Sequence, residues 1–390
     1  MSTTQVKRFK GLNNVSDPLR LGVAWLVKAD NVNITDTGAI EKRGGYAQVQ
    51  TGAFTGAYTT LDFQRMYLGD GGVLRTYEGA ILKTGLSAAP MYWAEINDQV
   101  FYNNGVDRGV ILPDNQVLDW AWPTPSAPNV AIGTGTLPEG IYQVRCSFML
   151  PGGRETGTGD SFEIAAAEGS SLILSNIPQI GGGATNVYIA PANSTVYSLA
   201  YTTTATALTW NSVPESLGVD LRTAFLDSIP SGSDVIQFFK GRVYAAQYFP
   251  EADQTVVWFS EVLAFHLFNL NSDFFIVPGH AVMLAPTESA LVIGTTTRVY
   301  AYGDNKLEQV AAYGVVPGQH WSEDKQSDGP ARILFWTTRG VCSALPFTNL
   351  TEKSVSVAPG IKAGGTIVQQ GGQKRYLVAL QQGGSAFNSY

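Results

Sequence analysis

Three histidines and two cysteines are the side chains in this 390-residue chain best suited to metal binding or nucleophilic chemistry. The histidines are widely separated, and none has the His-Glu-x-x-His spacing that places two imidazoles around zinc. The cysteines lie far apart in apolar, strand-like runs, which predicts buried free thiols rather than a disulfide. We therefore predict no metal site and no cofactor. These residues are His266, His280, His320, Cys146 and Cys342.

Acidic side chains could in principle act as a carboxylate pair, the arrangement that glycosidases use. The two sets considered are Asp114 with Asp119 and Asp160, and Glu155 with Asp160. Nothing in the sequence shows that they converge, and we interpret them as solvated turn carboxylates. The chain has no Gly-x-Ser-x-Gly elbow, phosphate loop or dinucleotide fingerprint, and the glycines at 181–183 are interpreted as a loop. We assign no catalytic residue and predict that the protein is not an enzyme.

Two arginines recur at the start of a repeated motif, Arg-Val-Tyr-Ala, which begins at Arg242 and again at Arg298. They could face a shared channel, but we favour pairing with acidic groups inside the fold. Each motif follows a β-branched or aromatic run and a short polar or glycine tip, at residues 235–241 and 290–297. This pattern predicts a β-hairpin in each case, and we treat the two hairpins as equivalent units of a repeat.

Composition favours many short strands and turns over long helices. The chain contains 42 Gly, 19 Pro, 18 Phe, 17 Tyr and 8 Trp, and only 15% of its residues are charged. The net charge of −7 argues against a broad basic face and against specific nucleic-acid binding. No signal-peptide pattern and no long apolar run is present. We therefore expect synthesis and folding in a cytosol, and no membrane segment.

The first part of the chain predicts a hairpin followed by an antiparallel meander. A glycine turn at residues 35–38 separates two short runs, and we interpret Asp36, Arg43 and Tyr46 of this hairpin as packing residues. Strand-like clusters between residues 58 and 122 are separated by tips rich in glycine or asparagine. Because no helical pattern lies between them, an antiparallel arrangement is expected.

Residues 123–215 show a different pattern. A proline-rich stretch precedes six or seven short alternating strands in about ninety residues, which is the size of a small β-sandwich. The succession of Gly-Ile-Tyr-x-Val at residue 140, a turn followed by Glu-Thr-Gly, and Val-Tyr-Ile at residue 187 resembles a fibronectin type III-like module. The alternative is that these strands continue the larger sheet system. We favour an inserted sandwich.

Beyond residue 215 the hairpin unit recurs with a regular period. Placing Leu291, Leu334 and Leu377 at equivalent positions gives a spacing of 43 residues twice. A period near forty is typical of a β-propeller with one four-stranded blade per period, and the chain outside the sandwich suffices for six or seven blades. The predicted fold is an all-β propeller: residues 1–122 supply the hairpin and first blades, 123–215 the inserted sandwich and 216–390 the remaining blades.

Several motifs occur in a characteristic order along the chain. Residues 9–13, 29–38 and 41–46 contain Gly-Leu-Asn, then Asn-Val with a later glycine, then Arg-Gly-Gly-Tyr, and the hairpins at 238–246 and 291–301 follow them. This order resembles that of tailed-bacteriophage virion tail proteins of the β-propeller type. The resemblance extends over most of the chain and rests on the combination of motifs.

The resemblance implies a non-enzymatic structural component of a phage tail, at the nozzle, hub or tip, within a ring around the DNA exit path. It implies a homo-oligomeric ring, hexameric in nozzle proteins, that contacts other tail or connector proteins and takes part in DNA ejection. The protein would be made in the host bacterial cytoplasm and located in the virion tail. The alternative is a carbohydrate-binding or carbohydrate-active propeller with exposed aromatic platforms: Trp93, Trp120, Trp122 and Trp321.

Overall fold

The computed structural model describes residues 6–45, 47–212, 214–325, 331–370, 373–383 and 387–389. These described residues form 35 strands and no α-helix; their helical elements are two single turns of 3-10 helix, Pro18–Arg20 and Pro214–Ser216. The prediction of an all-β fold is therefore confirmed, and the strands form many small, mostly antiparallel sheets. Tyr46, which we predicted to be a packing residue, lies outside the described residues.

Residues 6–45 and 47–50 form an extended N-terminal segment, which we call the arm. It contains one pair of short parallel strands and the predicted antiparallel hairpin. The hairpin turn needs Gly38, because its φ is +81° and an added Cβ would approach the Phe9 carbonyl oxygen to 2.9 Å. The strands of the arm are β1 (Gly11–Leu12), β2 (Trp25–Leu26), β3 (Val32–Ile34) and β4 (Ile40–Lys42).

Six small sheets, which we number I to VI, account for most of the remaining strands, and each is built from strands that are consecutive in the sequence. Short turns make this possible: Asn97 and Asp98, for example, have φ of 50° and 62° and close a tight hairpin. Sheet I contains β5 (Phe54–Thr59), β6 (Met66–Asp70), β7 (Val73–Thr76) and β8 (Ile81–Thr84), and sheet II contains β9 (Tyr92–Ile96), β10 (Gln99–Asn103), β11 (Arg108–Ile111) and β12 (Val117–Asp119).

Between sheets II and III lies a separate unit of two facing sheets, which we call the module. Strands β13, β16 and β19 form one sheet and β15, β14, β17 and β18 form the other, and their side chains share one buried cluster that includes Tyr142, Leu172 and Trp210. The strands are β13 (Asn129–Leu137), β14 (Gly140–Met149), β15 (Phe162–Ala166), β16 (Ser170–Ser175), β17 (Ala184–Ala190), β18 (Ser198–Thr203) and β19 (Leu208–Trp210). In the described part of the chain these strands do not continue the sheets around them.

Sheets III to VI follow the module. Sheet III has five strands, sheets IV and V have four each, and sheet VI has three. Sheet III contains β20 (Val235–Phe239), β21 (Arg242–Phe249), β22 (Gln254–Glu261), β23 (Ala264–Phe268) and β24 (Phe274–Pro278); sheet IV contains β25 (Ala281–Pro286), β26 (Leu291–Thr295), β27 (Val299–Gly303) and β28 (Lys306–Ala311); sheet V contains β29 (Ser322–Asp324), β30 (Arg332–Thr337), β31 (Gly340–Ser343) and β32 (Thr348–Asn349); sheet VI contains β33 (Lys362–Gln370), β34 (Gln373–Gln381) and β35 (Phe387–Ser389).

Each sheet packs on the next through buried apolar and aromatic side chains. Because both faces of most strands are covered in this way, apolar residues occupy nearly every successive position in the strand sequences. The clusters are represented by Tyr67 and Trp93 between sheets I and II, Trp120 and Val243 between II and III, Tyr244 and Leu291 between III and IV, Val292 and Phe335 between IV and V, and Trp336 and Val378 between V and VI.

Gln319, just before β29, connects sheets that are far apart in the sequence. Its side chain accepts a hydrogen bond from Ala57 N in sheet I at 3.1 Å and donates one to the Met91 carbonyl, beside sheet II, at 2.9 Å. Its own carbonyl accepts a hydrogen bond from Gly365 N in sheet VI at 2.9 Å. The first strands of sheets I, II, V and VI therefore approach one another around this residue.

The 43-residue period matches the sheet order, since Leu291, Leu334 and Leu377 each lie in the second strand of sheets IV, V and VI. The prediction that the two Arg-Val-Tyr-Ala hairpins occupy equivalent positions is wrong, because they are displaced by one strand within their sheets. The first hairpin joins strands one and two of sheet III, whereas the second joins strands two and three of sheet IV. The motif marks an inner strand buried on both faces, and two different strands of a four-stranded sheet meet that condition.

Candidate functional site

The three histidines lie in separate places. Nε2 of His266, in β23, is 3.0 Å from the Glu155 carbonyl oxygen, and the His280 ring stacks on Tyr248 with centroids 4.3 Å apart. His320 is fully buried between sheets V and VI, and burial lowers its pKa to about 4. In the described residues no group of three or more His, Cys, Asp or Glu side chains could hold a metal ion.

The predicted carboxylates belong to two separate regions. Asp114 and Asp119 lie in sheet II, where Asp114 accepts from Gln116 N at 3.0 Å and Asp119 pairs with Lys83 at 3.2 Å. Glu155 and the exposed Asp160 lie in the loop between β14 and β15 of the module. One oxygen of Glu155 accepts hydrogen bonds from three module side chains: Ser147, Asn186 at 3.0 Å and Tyr188 at 2.6 Å. Asp114, Asp119 and Glu155 are thus engaged in local structure.

Arg242 has the structural role that we favoured. Its Nη1 donates to Asp273 Oδ2 at 3.2 Å and to the Ser260 carbonyl at 2.8 Å, and its guanidinium lies 5.0 Å from the Phe259 ring centroid. Arg298 lies in the exposed turn before β27, with Nη1 3.5 Å from the Tyr300 hydroxyl. The two arginines therefore do not occupy matching environments, in agreement with the shift of one strand between their hairpins.

Both cysteines are free and buried, as predicted. Burial raises the pKa of Cys146 to about 12 and also raises the pKa of Cys342. Since the thiolate is the reactive form, we expect neither thiol to react with a thiol-specific chromogenic reagent at pH 8 in the native protein. Both should react within minutes in guanidinium chloride. Fast native labelling would contradict the placement of these side chains.

The four tryptophans proposed as sugar platforms are not equally accessible. Trp93 and Trp120 are buried between sheets, with 5% and 0% of their surface exposed, and Trp120 donates to the Phe265 carbonyl at 2.9 Å. Trp321 is half-buried against the cluster between sheets IV and V. Trp122 is also half-buried, and it donates to the Asp119 carbonyl at 3.2 Å in a hydrogen bond at the surface. The platform prediction is wrong for Trp93 and Trp120, because the apolar area of the indole is used between sheets.

Trp122 lines a cleft of about 550 Å³ at the point where the chain leaves sheet II and returns from the module. Arg108 Nη1 closes its floor by donating to the carbonyls of Ile229 and Pro230, both at 3.1 Å, and burial lowers the Arg108 pKa. The cleft could not be predicted from the sequence, because residues between 83 and 123 meet residues between 227 and 270, more than 100 positions later in the chain. The charged residues that line it are Lys83, Asp107, Arg108 and Asp227.

The module packs closely on its own return segment. A Cβ added at Gly157 would lie 1.7 Å from the Leu226 carbonyl oxygen, so only glycine fits there. The Arg145 guanidinium lies between the rings of Tyr197 and Phe225, at 5.0 and 4.9 Å from their centroids. With the contact between His266 and Glu155, these interactions fix the module beside sheet III.

The arm presents the largest stretch of unburied chain. Of its described residues only Asn13 and Gly38 are buried, and Leu19 and Val49 have 95% and 75% of their surface exposed. Exposed apolar side chains on an extended segment are typical of a surface that contacts another protein. The described part of the chain also contains no helix long and apolar enough to span a membrane.

No family model and no curated protein matches the chain. Similar solved structures include the extracellular domain of a hybrid two-component system from B. thetaiotaomicron, with 11% identity and a TM-score of 0.32, covering 86% of this chain and 38% of that chain. PorZ, a surface component of the type-IX secretion system of Porphyromonas gingivalis, has 12% identity and a TM-score of 0.22, covering 90% and 56%. The V. cholerae biofilm matrix protein Bap1 has 9% identity and a TM-score of 0.22, covering 84% and 59%. The chain spans less than two thirds of each of these structures, and TM-scores this low support no assignment of fold or function.

Proposed function

We propose that the chain is a non-enzymatic structural component of a bacteriophage tail, at the nozzle, hub or tip, that assembles into a homo-oligomeric ring around the DNA exit path. The observation that carries the proposal is the arm. Its residues 9–13, 29–38 and 41–45 contain the opening motifs of the tail-protein resemblance, and these stretches are left almost wholly unburied. A segment of this kind is suited to contacts with other protein chains.

The proposal includes a six-bladed β-propeller, with sheets I to VI as the blades. Two observations support it: each sheet packs on the next, and Gln319 makes hydrogen bonds to residues of sheets I, II and VI from its place before sheet V. Sheets that packed only in a row would keep sheets I and VI apart. A ring with the first strand of each blade at the axis brings them together. The module is then an inserted fibronectin type III-like sandwich at the junction of blades II and III.

Charge is compatible with a DNA exit path. The chain carries a net charge of −7, and it is attraction of phosphates to Lys and Arg that holds DNA on a protein. A lumen lined by such a chain would let DNA pass without retaining it. We propose partners among the other tail and connector proteins, and location in the virion tail.

The mass of the purified protein in solution, measured by light scattering, tests this function. We expect self-association, or ring formation once the protein is incubated with tail-less particles. Incorporation should restore the missing ring in electron micrographs of those particles. A monomer at every concentration that ignores particles and binds glycans would overturn the proposal.

Deletion of the module tests its part in assembly. Replacing residues 129–222 by a Gly-Ser linker should leave the six sheets folded, because the module strands share a core of their own. We expect the shortened protein to keep the near-ultraviolet circular dichroism of the sheet aromatics but to be lost from particles. Unaltered incorporation of the shortened protein would show that the module makes no essential contact.

A carbohydrate-binding function remains the second candidate, favoured by the half-buried Trp122 that lines the cleft beside Lys83, Asp107 and Arg108. An indole face next to polar side chains is a suitable sugar platform. On this alternative, a glycan-array signal from the intact protein should disappear in a Trp122→Ala variant. No signal, or a signal that survives the substitution, would remove this cleft as a sugar site.

A further inference from the structure

The arm and the rest of the chain carry opposite charge. Residues 6–45 contain seven Lys or Arg and four Asp or Glu, a formal net charge of +3, so residues 46–390 sum to −10 in a chain of net charge −7. Within the described residues, five cations of the arm have no ion-pair partner, although Arg8 donates to the Asp36 and Thr37 carbonyls: Lys7, Arg8, Lys10, Lys42 and Arg43. The arm therefore combines unpaired positive charge with exposed apolar side chains, of which Leu19, Val23 and Val49 are the most exposed.

The N-terminal part of the arm is fixed at one end of its own body. Asn14 and Ser356 are joined by two hydrogen bonds of 2.9 and 2.7 Å, and Asn14 N donates to the Ser354 carbonyl at 3.0 Å. This segment lies beside the turn between the second and third strands of sheet V, since Arg339 of that turn pairs with Glu352 at 3.2 Å. The N-terminal part of the arm is thus anchored at the end of the body that carries the second turns of the sheets, whereas Gln50, at the other end of the arm, donates to the Tyr77 carbonyl in the third turn of sheet I at 2.9 Å.

The opposite end carries the first and third turns, and we call it the turn end. Hydrogen bonds between neighbouring sheets show that these turns lie together. Arg65 in the first turn of sheet I donates to the Asp98 carbonyl in the first turn of sheet II at 3.0 Å. Lys240 in the first turn of sheet III donates to the Ser289 carbonyl in the first turn of sheet IV at 3.1 Å.

The turn end complements the arm in charge and also exposes apolar side chains. Among these, Leu61, Phe63 and Leu263 expose 67%, 84% and 73% of their surface. Around them, six exposed carboxylates outnumber the four described cations of these turns, Arg65, Lys240, Lys306 and Lys325. Charged groups around exposed apolar side chains are the usual composition of a protein interface before its partner binds. The exposed carboxylates of these turns are Asp62, Glu78, Asp98, Asp114, Glu288 and Asp304.

We propose that the arm of one copy binds the turn end of a second copy of this chain. The inference rests on the self-assembly part of the proposed function and names the two surfaces that meet. The contact is heterologous, because one copy gives its arm and the other its turn end, so repetition closes a ring or builds a stack. Apolar burial supplies the affinity, and the opposite charges fix the direction and speed the encounter.

A second copy accounts for both surfaces, whereas a nucleic acid would account only for the cations of the arm. The phosphate backbone attracts Lys and Arg but provides no apolar surface for Leu19 or Val23. It would also be repelled by the carboxylates of the turn end. Lys7 and Lys10 cannot easily reach the turn end of their own copy, because Asn14 close to them is held at the opposite end of the body.

Charge reversal on each surface provides the test. One variant carries Lys7→Glu and Lys10→Glu in the arm, and the other carries Glu78→Lys and Glu288→Lys at the turn end; all four side chains are exposed. Each variant alone should assemble at least about tenfold more weakly than the original chain, since like charges then face each other. An equimolar mixture should assemble again, because the reversed arm of one variant meets the reversed turn end of the other.

Sedimentation velocity at low and high salt measures the assembly state of the arm variant, the turn-end variant and their equimolar mixture. A control variant, Glu139→Lys with Glu168→Lys on the module surface, makes the same change in charge as the turn-end variant but away from both surfaces, and should assemble like the original chain. Assembly that survives both reversals would refute the arm contact while leaving self-assembly intact. An original chain that stays monomeric in solution and on particles would instead refute the proposed self-assembly. Loss of duplex-DNA binding by the arm variant, with unchanged mass, would assign the arm to nucleic acid and overturn the proposal.

Discussion

Replacing Trp120 by alanine is expected to lower the free energy of unfolding of the six-sheet body by about 3 to 5 kcal/mol. The indole is fully buried between sheets II and III, makes an edge-to-face contact with Phe101 at 5.1 Å and donates to the Phe265 carbonyl at 2.9 Å. Its removal would leave a cavity and an unsatisfied buried carbonyl. Urea unfolding followed by circular dichroism measures the change.

Trp122→Ala is the matched control, because it removes the same side chain only two positions away. Trp122 is only half-buried and its hydrogen bond to the Asp119 carbonyl lies at the surface, so we expect a loss of about 1 kcal/mol. Equal losses for the two variants would mean that Trp120 is not the connection between sheets II and III that the structure indicates.

These two tryptophans show what the sequence could and could not predict. Strands with alternating or continuous apolar residues, and turns rich in glycine and asparagine, are local patterns, so the all-β fold, the first hairpin and the 43-residue period could be read directly. Whether an aromatic side chain is buried between sheets or exposed depends on which sheets pack together. That information is not local, and it decides between Trp120 and Trp122.

Other features were missed for related reasons. β13 (Asn129–Leu137) is rich in glycine and threonine and has few apolar residues to mark it, although the segment pairs with β16 along most of its length. The cleft at Trp122 depends on the meeting of distant segments. The charge difference between the arm and the rest of the chain was present in the sequence, but it had no meaning until the structure showed that the arm is unburied.

Lowering the pH from 7 to 5 is expected to destabilise the protein by about 2 kcal/mol through His320 alone. This side chain is fully buried; Nδ1 accepts from Trp336 N at 3.0 Å and Nε2 is 2.7 Å from the Val316 carbonyl oxygen. Burial lowers its pKa from 6.5 to about 4. Between these values the unfolded chain binds a proton that the native protein does not, so stability falls as the pH falls. The loss stops near pH 4, where the native state is protonated too.

His320→Gln isolates this effect, because an amide can accept from Trp336 N and donate to the Val316 carbonyl but does not titrate in this range. We expect the variant to lose some stability at pH 7 from imperfect packing, and to lose about 2 kcal/mol less than the original chain between pH 7 and pH 5. Urea unfolding at both pH values measures the difference. Burial also lowers the pKa of His266, and that contribution remains in both proteins and cancels in the comparison. The same pH dependence in the variant and the original chain would show that His320 is not held neutral between sheets V and VI.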